Sequence, residues 1–211
     1  MEASPFADDA AAYDAWYHTS PGLLVLESEL RAIRSLNPEG VGLEVGVGTG
    51  VFSTSLGVSL GIDPSLAMLK RAKNKGVDTI RGVGEYLPLR HSTFNFILFA
   101  TTICFLNHCG QSFSEARRVL KKGGCAIVCF ISRESEWGRF YQQKKEEGHR
   151  YYKYASFYSI DEVDSILSVA GFTIIRYASC LVQNPESVSL VENPSDHPEK
   201  CGFICIKAVK S

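Results

Sequence analysis

The run Glu44-Val45-Gly46-Val47-Gly48-Thr49-Gly50, followed by Leu60-Gly61-Ile62-Asp63-Pro64, holds the residue types from which chemistry can be argued. Val41 to Val45 is short, apolar and bounded by glycines, so it reads as a buried strand whose exit lets the backbone turn sharply beneath a ligand. A dinucleotide fingerprint, G-x-G-x-x-G, needs a third glycine. Counted from Gly46 that position is Val51, and counted from Gly48 it is Ser53. Glu44 would repel a pyrophosphate but suits a ligand carrying an ammonium group or another cation. Asp63 closes the next apolar run, Val58 to Ile62, at the carboxyl end of a strand, where its carboxylate can accept both hydroxyls of a ribose. The pattern predicts a cationic nucleoside without a phosphate.

At these residues the chain resembles the class I S-adenosylmethionine-dependent methyltransferases, in the small-molecule branch similar to the ubiquinone and menaquinone biosynthesis methyltransferases. Glu44 to Gly50 matches that family's first motif and Asp63 its second. Gly82-Val83-Gly84-Glu85-Tyr86-Leu87-Pro88-Leu89 is similar to the third motif and Phe94-Asn95-Phe96-Ile97 to the fourth strand. Glu115 to Gly124 resembles the helix and turn before the fifth strand, and Phe157-Tyr158-Ser159, Glu162 and Ala170-Gly171-Phe172 those before the sixth. The resemblance implies S-adenosyl-L-methionine as cofactor, held by Glu44, Gly46, Gly48, Gly50, Asp63, Pro64, Gly84, Glu85 and Ala100, with Tyr13 reaching over it from the N-terminal segment. The chain departs from the family at two positions. Val83 stands where the family carries an acid for the adenine amino group, which leaves the backbone of Gly84 and Glu85 to meet the base, and Asn95 replaces an aspartate.

The elements that must position these residues follow from hydrophobic period and turn chemistry. A helical stretch is predicted over Leu23 to Leu36, and another over Pro64 to Lys75 with proline in its first turn and Gly76 past its end. Strands are predicted at Thr79 to Val83, Phe94 to Ala100, Cys125 to Ile131, Thr173 to Leu181 and Phe203 to Val209. Phe113, Ala116, Val119 and Leu120 recur at helical spacing before a Gly123-Gly124 turn, and Val163, Ile166, Leu167 and Ala170 form a second apolar stripe. The segment from Gly50 to Val58 leaves room for only a short helix, and Val182 to Lys200 reads as a long loop. The expected fold is α/β: a Rossmann-like, doubly wound, mostly parallel seven-stranded sheet with an antiparallel last strand.

The 211 residues predict a single methyltransferase domain, with an N-terminal cap over 1–36 and a lid insertion over about 132–158. A net charge of -1, from 22 basic and 23 acidic residues, gives no global field for nucleic acid. No run approaches the roughly 18 apolar residues of a membrane span. Met1 to Ala12 lacks the basic start and apolar centre of a secretory leader, so a cytoplasmic protein is expected. Seven cysteines with no C-x-x-C pair argue against a zinc ribbon; no metal is expected, and reduced core thiols fit best. Cys125 and Cys129 share one strand face, as do Cys201 and Cys205 on the strand expected beside it.

Methyl transfer needs a nucleophile aligned in line with the methyl group, and water kept out. The candidate acceptor pocket is Trp16 and Tyr17 from the cap, Thr101, Thr102 and Phe105 after the fourth strand, and Trp137 and Tyr141 from the lid. His108 is weighed as a base and more readily as a surface residue, and no catalytic residue is assigned. A small-molecule acceptor is expected. One rival is a methyltransferase-like binding or regulatory protein with weak or no turnover, suggested by Val83 and Asn95. A second is an RNA-directed enzyme using the basic residues among the lid aromatics, which Glu134, Glu136, Glu146 and Glu147 and the balanced charge weaken.

Overall fold

The computed structural model describes residues 9–210, so residues 1–8 of the expected cap lie outside the described part. The first helix, α1 (Ala10–Trp16), is followed by α2 (Ser20–Ser35), β1 (Gly42–Val45), α3 (Val51–Leu56), β2 (Leu60–Asp63), α4 (Leu66–Asn74), β3 (Asp78–Arg81) and β4 (Phe94–Ala100). Then come α5 (Cys109–Val119), β5 (Leu120–Ile131), α6 (Glu136–Glu146), α7 (Ile160–Val169), β6 (Phe172–Cys180) and β7 (Phe203–Lys210). The seven strands form one sheet in the order β3-β2-β1-β4-β5-β7-β6. β1 to β5 are mutually parallel and β7 runs antiparallel to both its neighbours. This is the doubly wound α/β fold that the alternation of elements implied.

Alternate residues of the central strands serve two cores, which is what a sheet covered on both faces requires. On β4, Ile97 and Phe99 face one core with Phe113 and Val163, while Phe96, Leu98 and Ala100 face the other with Ile33 and Phe52. Phe99 and Phe113 meet edge to face at 5.4 Å. Asn95, the replaced aspartate, accepts from the Val41 N–H and from Lys121 Nζ, both at 3.1 Å. It ties the entry of β1 to the amino end of β4, across the sheet from the carboxyl ends where ligands bind in such folds.

Several expected boundaries shift for local reasons. Pro64 is not in the first turn of α4, because the Ser65 side chain caps that helix by accepting from the Met68 N–H. Gly123-Gly124 is no turn between elements: β5 begins at Leu120, which pairs with Phe94, and the glycines lie within the strand where the pairing register shifts. α2 starts at Ser20 because Thr19 accepts from the Gly22 N–H and Pro21 falls in the first turn. Cys201 precedes β7 rather than sharing its face with Cys205. Cys129 and Cys205 are directly opposite on β5 and β7 and form a disulfide, so the expectation of reduced thiols fails for this pair. Both had read as core residues, and the antiparallel register that brings them together is a tertiary feature. The other five cysteines are free thiols. Among the described residues no helix is long and apolar enough to cross a membrane, and no cluster of ligating side chains could hold a metal ion.

The loop between β6 and β7 is held by one buried carboxylate. Glu192 accepts from the N–H groups of Val182 and Gln183 at 2.9 to 3.0 Å, and its own N–H donates to the Ser28 hydroxyl on α2 at 2.9 Å. Gln183 in turn accepts from Trp137 Nε1 at 2.8 Å, so the loop also anchors α6. Replacing Glu192 with alanine strands two amides at once. The expected result is a loss of about 2–4 kcal/mol of stability, read as a lower urea midpoint at unchanged slope.

Candidate active site

The strand order reverses between β1 and β4, so the segments leaving their carboxyl ends diverge and open a crevice. Along one wall runs the glycine loop. Gly46, Gly48 and Gly50 all have positive φ, at 74°, 52° and 79°. The three glycines serve different ends. A Cβ on Gly46 would collide with Thr102 at 2.3 Å, and one on Gly50 would press on Ala72 of α4 at 3.1 Å, whereas one on Gly48 would meet nothing within 4 Å. Gly48 is therefore the glycine that borders open space.

Asp63, at the end of β2, fixes this loop. Its Oδ2 accepts from the Gly48 N–H at 3.0 Å and its Oδ1 from the Ser65 N–H at 2.8 Å. Burial raises the Asp63 pKa and the two N–H groups oppose that rise without cancelling it. Each oxygen keeps a lone pair for a ligand. Glu44, one strand over, is fully buried, and its carboxylate accepts from the Ser53 hydroxyl on α3. Burial pushes its pKa to about 8; Ser53 pulls the other way and Asp63 adds to the rise.

The remaining predicted cofactor contacts fall around the same crevice with differing roles. Gly84 is packed so that a Cβ would meet Val45 at 3.0 Å and Ser112 at 3.1 Å. Glu85 is buried, and its side chain accepts from the Asn107 and His108 N–H groups at 2.9 and 3.1 Å, capping the start of α5. His108 is thus an exposed residue at the helix start. Pro64 is exposed, with its carbonyl accepting from Arg81 Nε at 3.2 Å. Ala100 is buried at the carboxyl end of β4.

Beside the crevice lies a cavity of about 430 Å³. Its walls include Tyr13, Trp16, Tyr17, Thr101, Phe105, Trp137 and Tyr141, all singled out in the sequence. Thr102 does not line it; its hydroxyl turns inward to the carbonyls of Ala100 and Gly46 at 3.0 and 3.4 Å. Thr101 adopts φ 52°, a conformation rare for a β-branched residue, at the cavity wall. Cys104 also lines the cavity, but burial raises its thiol pKa to about 12, so it is no thiolate nucleophile.

α1 closes the cavity from above and is latched on both sides. Asp14 pairs with Lys75 and with Arg71 at 3.4 Å at the end of α4. Burial alone would raise the Asp14 pKa, but these partners hold it below its ordinary value. Toward the lid, Asp9 pairs with Arg150, the Asp9 carbonyl accepts from the Tyr151 hydroxyl at 3.3 Å, and Tyr13 meets Tyr151 edge to face at 6.2 Å. The segment expected as a lid folds as α6, a 3₁₀ turn at Tyr152–Tyr154 and the stretch into α7, pinned where the Ser156 N–H donates to the Cys104 carbonyl at 2.8 Å.

Sequence reasoning missed Glu29. It lines the cavity from α2, is only 4 % exposed, and its pKa is raised by burial from 4.5 to about 8. Its position was detectable: Val25, Glu29 and Ile33 succeed one another at i, i+4, i+8, so a carboxylate sits on the apolar stripe of its helix. Tyr151, Tyr152 and His149 on the lid were also not assigned to the pocket, and they line it.

A family model described as a methyltransferase domain matches residues 43–128. The chain is similar to a Thermotoga maritima protein of known structure described as an S-adenosylmethionine-dependent methyltransferase and possible histamine N-methyltransferase. The two are 36 % identical, with 98 % of each chain covered and a TM-score of 0.93. An uncharacterised Methanocaldococcus jannaschii protein is 35 % identical over 95 % of this chain and 96 % of its own length. A Corynebacterium kroppenstedtii demethylmenaquinone methyltransferase is 36 % identical over 43 % of this chain and 41 % of its own length.

A carboxyl group whose folded pKa lies above its unfolded value favours the folded state below the unfolded pKa, and loses that contribution as pH rises to the folded one. For Glu29 the window runs from 4.5 to about 8. Glu29→Gln should therefore match the parent protein in melting temperature near the low end and exceed it increasingly toward the high end, the underlying stability difference reaching a few kcal/mol at most. Thermal melts across that range check this, and parallel curves for the two proteins would refute it.

Proposed function

The chain belongs to the S-adenosylmethionine-dependent methyltransferases, and from that premise we propose that it methylates a small organic molecule held in the aromatic cavity beside the glycine loop. The observation that carries the reading is the Asp63 carboxylate, which braces the bare Gly48 backbone and keeps lone pairs to spare. A ribose diol fits those lone pairs, and the space beside Gly48 suits the body of a nucleoside. Glu44 and Asp63 disfavour a phosphate there and favour a cationic ligand. The backbone of Gly84 and Glu85 meets the adenine, since Val83 carries no acceptor for its amino group, and Tyr13 covers the cofactor from α1.

S-adenosylmethionine, when bound, supplies a methyl group on a sulfonium, activated for in-line displacement. The chain's own part is to orient the acceptor and exclude water. Tyr13, Tyr17, Tyr141 and Tyr152 provide walls, and Thr101 the floor at the end of β4. The Tyr13, Tyr17 and Tyr152 hydroxyls have pKa values raised by burial, so these groups act as neutral donors and walls rather than as bases. A small acceptor also fits the lid's charges better than RNA does. Arg133 pairs with Glu162, Lys144 with Glu147 and Arg150 with Asp9, while Lys145 donates to the Ala155 carbonyl. These basic groups are committed within the protein. We read residues 9–36 as the described part of the cap and about 132–158 as the lid.

Titration with S-adenosylhomocysteine tests the proposal. The expected outcome is a saturable heat and a raised melting temperature, with affinity weakened roughly tenfold or more in Asp63→Ala, which loses charge-assisted hydrogen bonds. A folded sample showing neither heat nor thermal shift at millimolar ligand would defeat the reading.

A further inference from the structure

Six carboxylates are buried among the described residues: Asp14, Glu29, Glu44, Asp63, Glu85 and Glu192. Five have partners. Asp14 meets Lys75, Glu44 meets Ser53, Asp63 meets two backbone N–H groups, and Glu85 and Glu192 each accept from two more. Glu29 accepts no hydrogen bond and pairs with no cation among the described residues, and it faces the cavity. Without a partner, burial holds Glu29 toward its neutral form, and a cationic group entering the cavity would supply the partner that the fold does not and draw it to the charged form.

The surroundings specify the partner's chemistry. Aromatic rings crowd the same chamber: Tyr13 against Tyr17 at 5.5 Å between centroids, Tyr141 against Tyr152 at 4.5 Å, and Trp137 against Tyr141 at 6.1 Å. Lys144, His149 and Arg150 also reach the lining, but each is turned to another group. Lys144 faces Glu147 and the Phe140 ring, Arg150 faces Asp9 and the Tyr151 ring, and His149 stacks on Tyr152. An anionic acceptor would meet Glu29 with like charge. A cationic one would meet a carboxylate and the negative faces of aromatic rings together.

We propose that the acceptor is an amine, with the Glu29 carboxylate pairing with its protonated basic nitrogen and the surrounding aromatic rings enclosing its apolar body; for transfer to that nitrogen its proton passes to the Glu29 carboxylate, and the freed lone pair takes the methyl as S-adenosylhomocysteine leaves. This deepens the methyltransferase reading and rests on it for calling the bound molecule an acceptor. Binding of an amine at Glu29 can be measured without turnover.

Calorimetry on the full chain, with and without S-adenosylhomocysteine, would compare 2-phenylethylamine and tryptamine with their neutral counterparts 2-phenylethanol and tryptophol. The parent protein should bind each amine more tightly than its alcohol. Glu29→Gln, close in shape, should lose roughly tenfold or more in amine affinity while alcohol affinity stays unchanged. Glu27→Gln, on the exposed side of the same helix, should change neither. Amines binding the parent no better than the alcohols, or binding Glu29→Gln undiminished, would overturn the proposal. Those results alongside normal S-adenosylhomocysteine binding would leave the methyltransferase reading standing. Amine preference without any S-adenosylhomocysteine binding would instead remove that reading and leave the amine site.

Discussion

The two hydrogen bonds accepted by Asp63 are the constraint on which the rest of the site depends. One comes from the loop after β1 and the other from the chain just beyond β2, so a single side chain fastens two crossover connections at the point where the sheet reverses its order. The Ile62 carbonyl reinforces it, accepting from both the Gly46 and Val47 N–H groups at 2.7 and 3.0 Å. With the loop fixed, Gly50 can lie against Ala72 of α4, and α4 in turn offers Lys75 and Arg71 to Asp14 of the cap. The cap over the crevice thus rests on the same joint as its floor.

The buried carboxylates show how hydrogen-bond donors decide the state of a site. Asp63 and Glu29 are both nearly inaccessible, and burial is the largest influence on each. Asp63 has two N–H donors, which favour its charged form, and Glu29 has none, so its pKa climbs to about 8. Glu44 climbs as far despite its Ser53 partner, because its burial outweighs that bond, with a smaller rise added by Asp63. The crevice therefore keeps acceptors ready for hydroxyl donors, whereas the neighbouring chamber holds a carboxyl group near the balance between its two forms. A cation arriving there would tip that balance toward the charged form.

Much of this was legible in the sequence, and what was not has definable physical causes. The glycine loop, Asp63 and the mostly parallel, doubly wound sheet follow from local signals: a short apolar run, a missing third glycine, and alternating element types. Trp16, Tyr17, Trp137 and Tyr141 stood out because aromatic density exceeded what a crossover needs, and they do line one cavity. Thr102 could not be told from Thr101, since which of two adjacent threonines lines the cavity depends on the backbone turn at the positive φ of the first, while both hydroxyls bond the Ala100 carbonyl. The Glu85 side chain is taken up by the Asn107 and His108 N–H groups just ahead of α5, a pairing that exists only in the folded chain, which leaves its backbone for the adenine contact that the sequence reading gave it. The Cys129–Cys205 pairing required the antiparallel register of β5 and β7, which no local period specifies. Asn95 makes structural hydrogen bonds at the amino end of β4, whose partners on Val41 and Lys121 come near only in the folded sheet.

The two latches on α1 differ in kind. On the α4 side, Asp14 is 11 % exposed at its side chain and meets two cations, so breaking that contact would leave a charge poorly solvated. On the lid side, Arg150 is 61 % exposed and its pairing with Asp9 is of the solvent-screened kind that contributes about 0–1 kcal/mol. The edge-to-face contact of Tyr13 with Tyr151 adds about 0.5–1.5 kcal/mol. The Tyr151 hydroxyl adds a hydrogen bond to the Asp9 carbonyl at 3.3 Å, so this side rests on several modest contacts where the α4 side rests on one buried carboxylate between two cations. Held from both directions, α1 lies over the aromatic walls and Glu29.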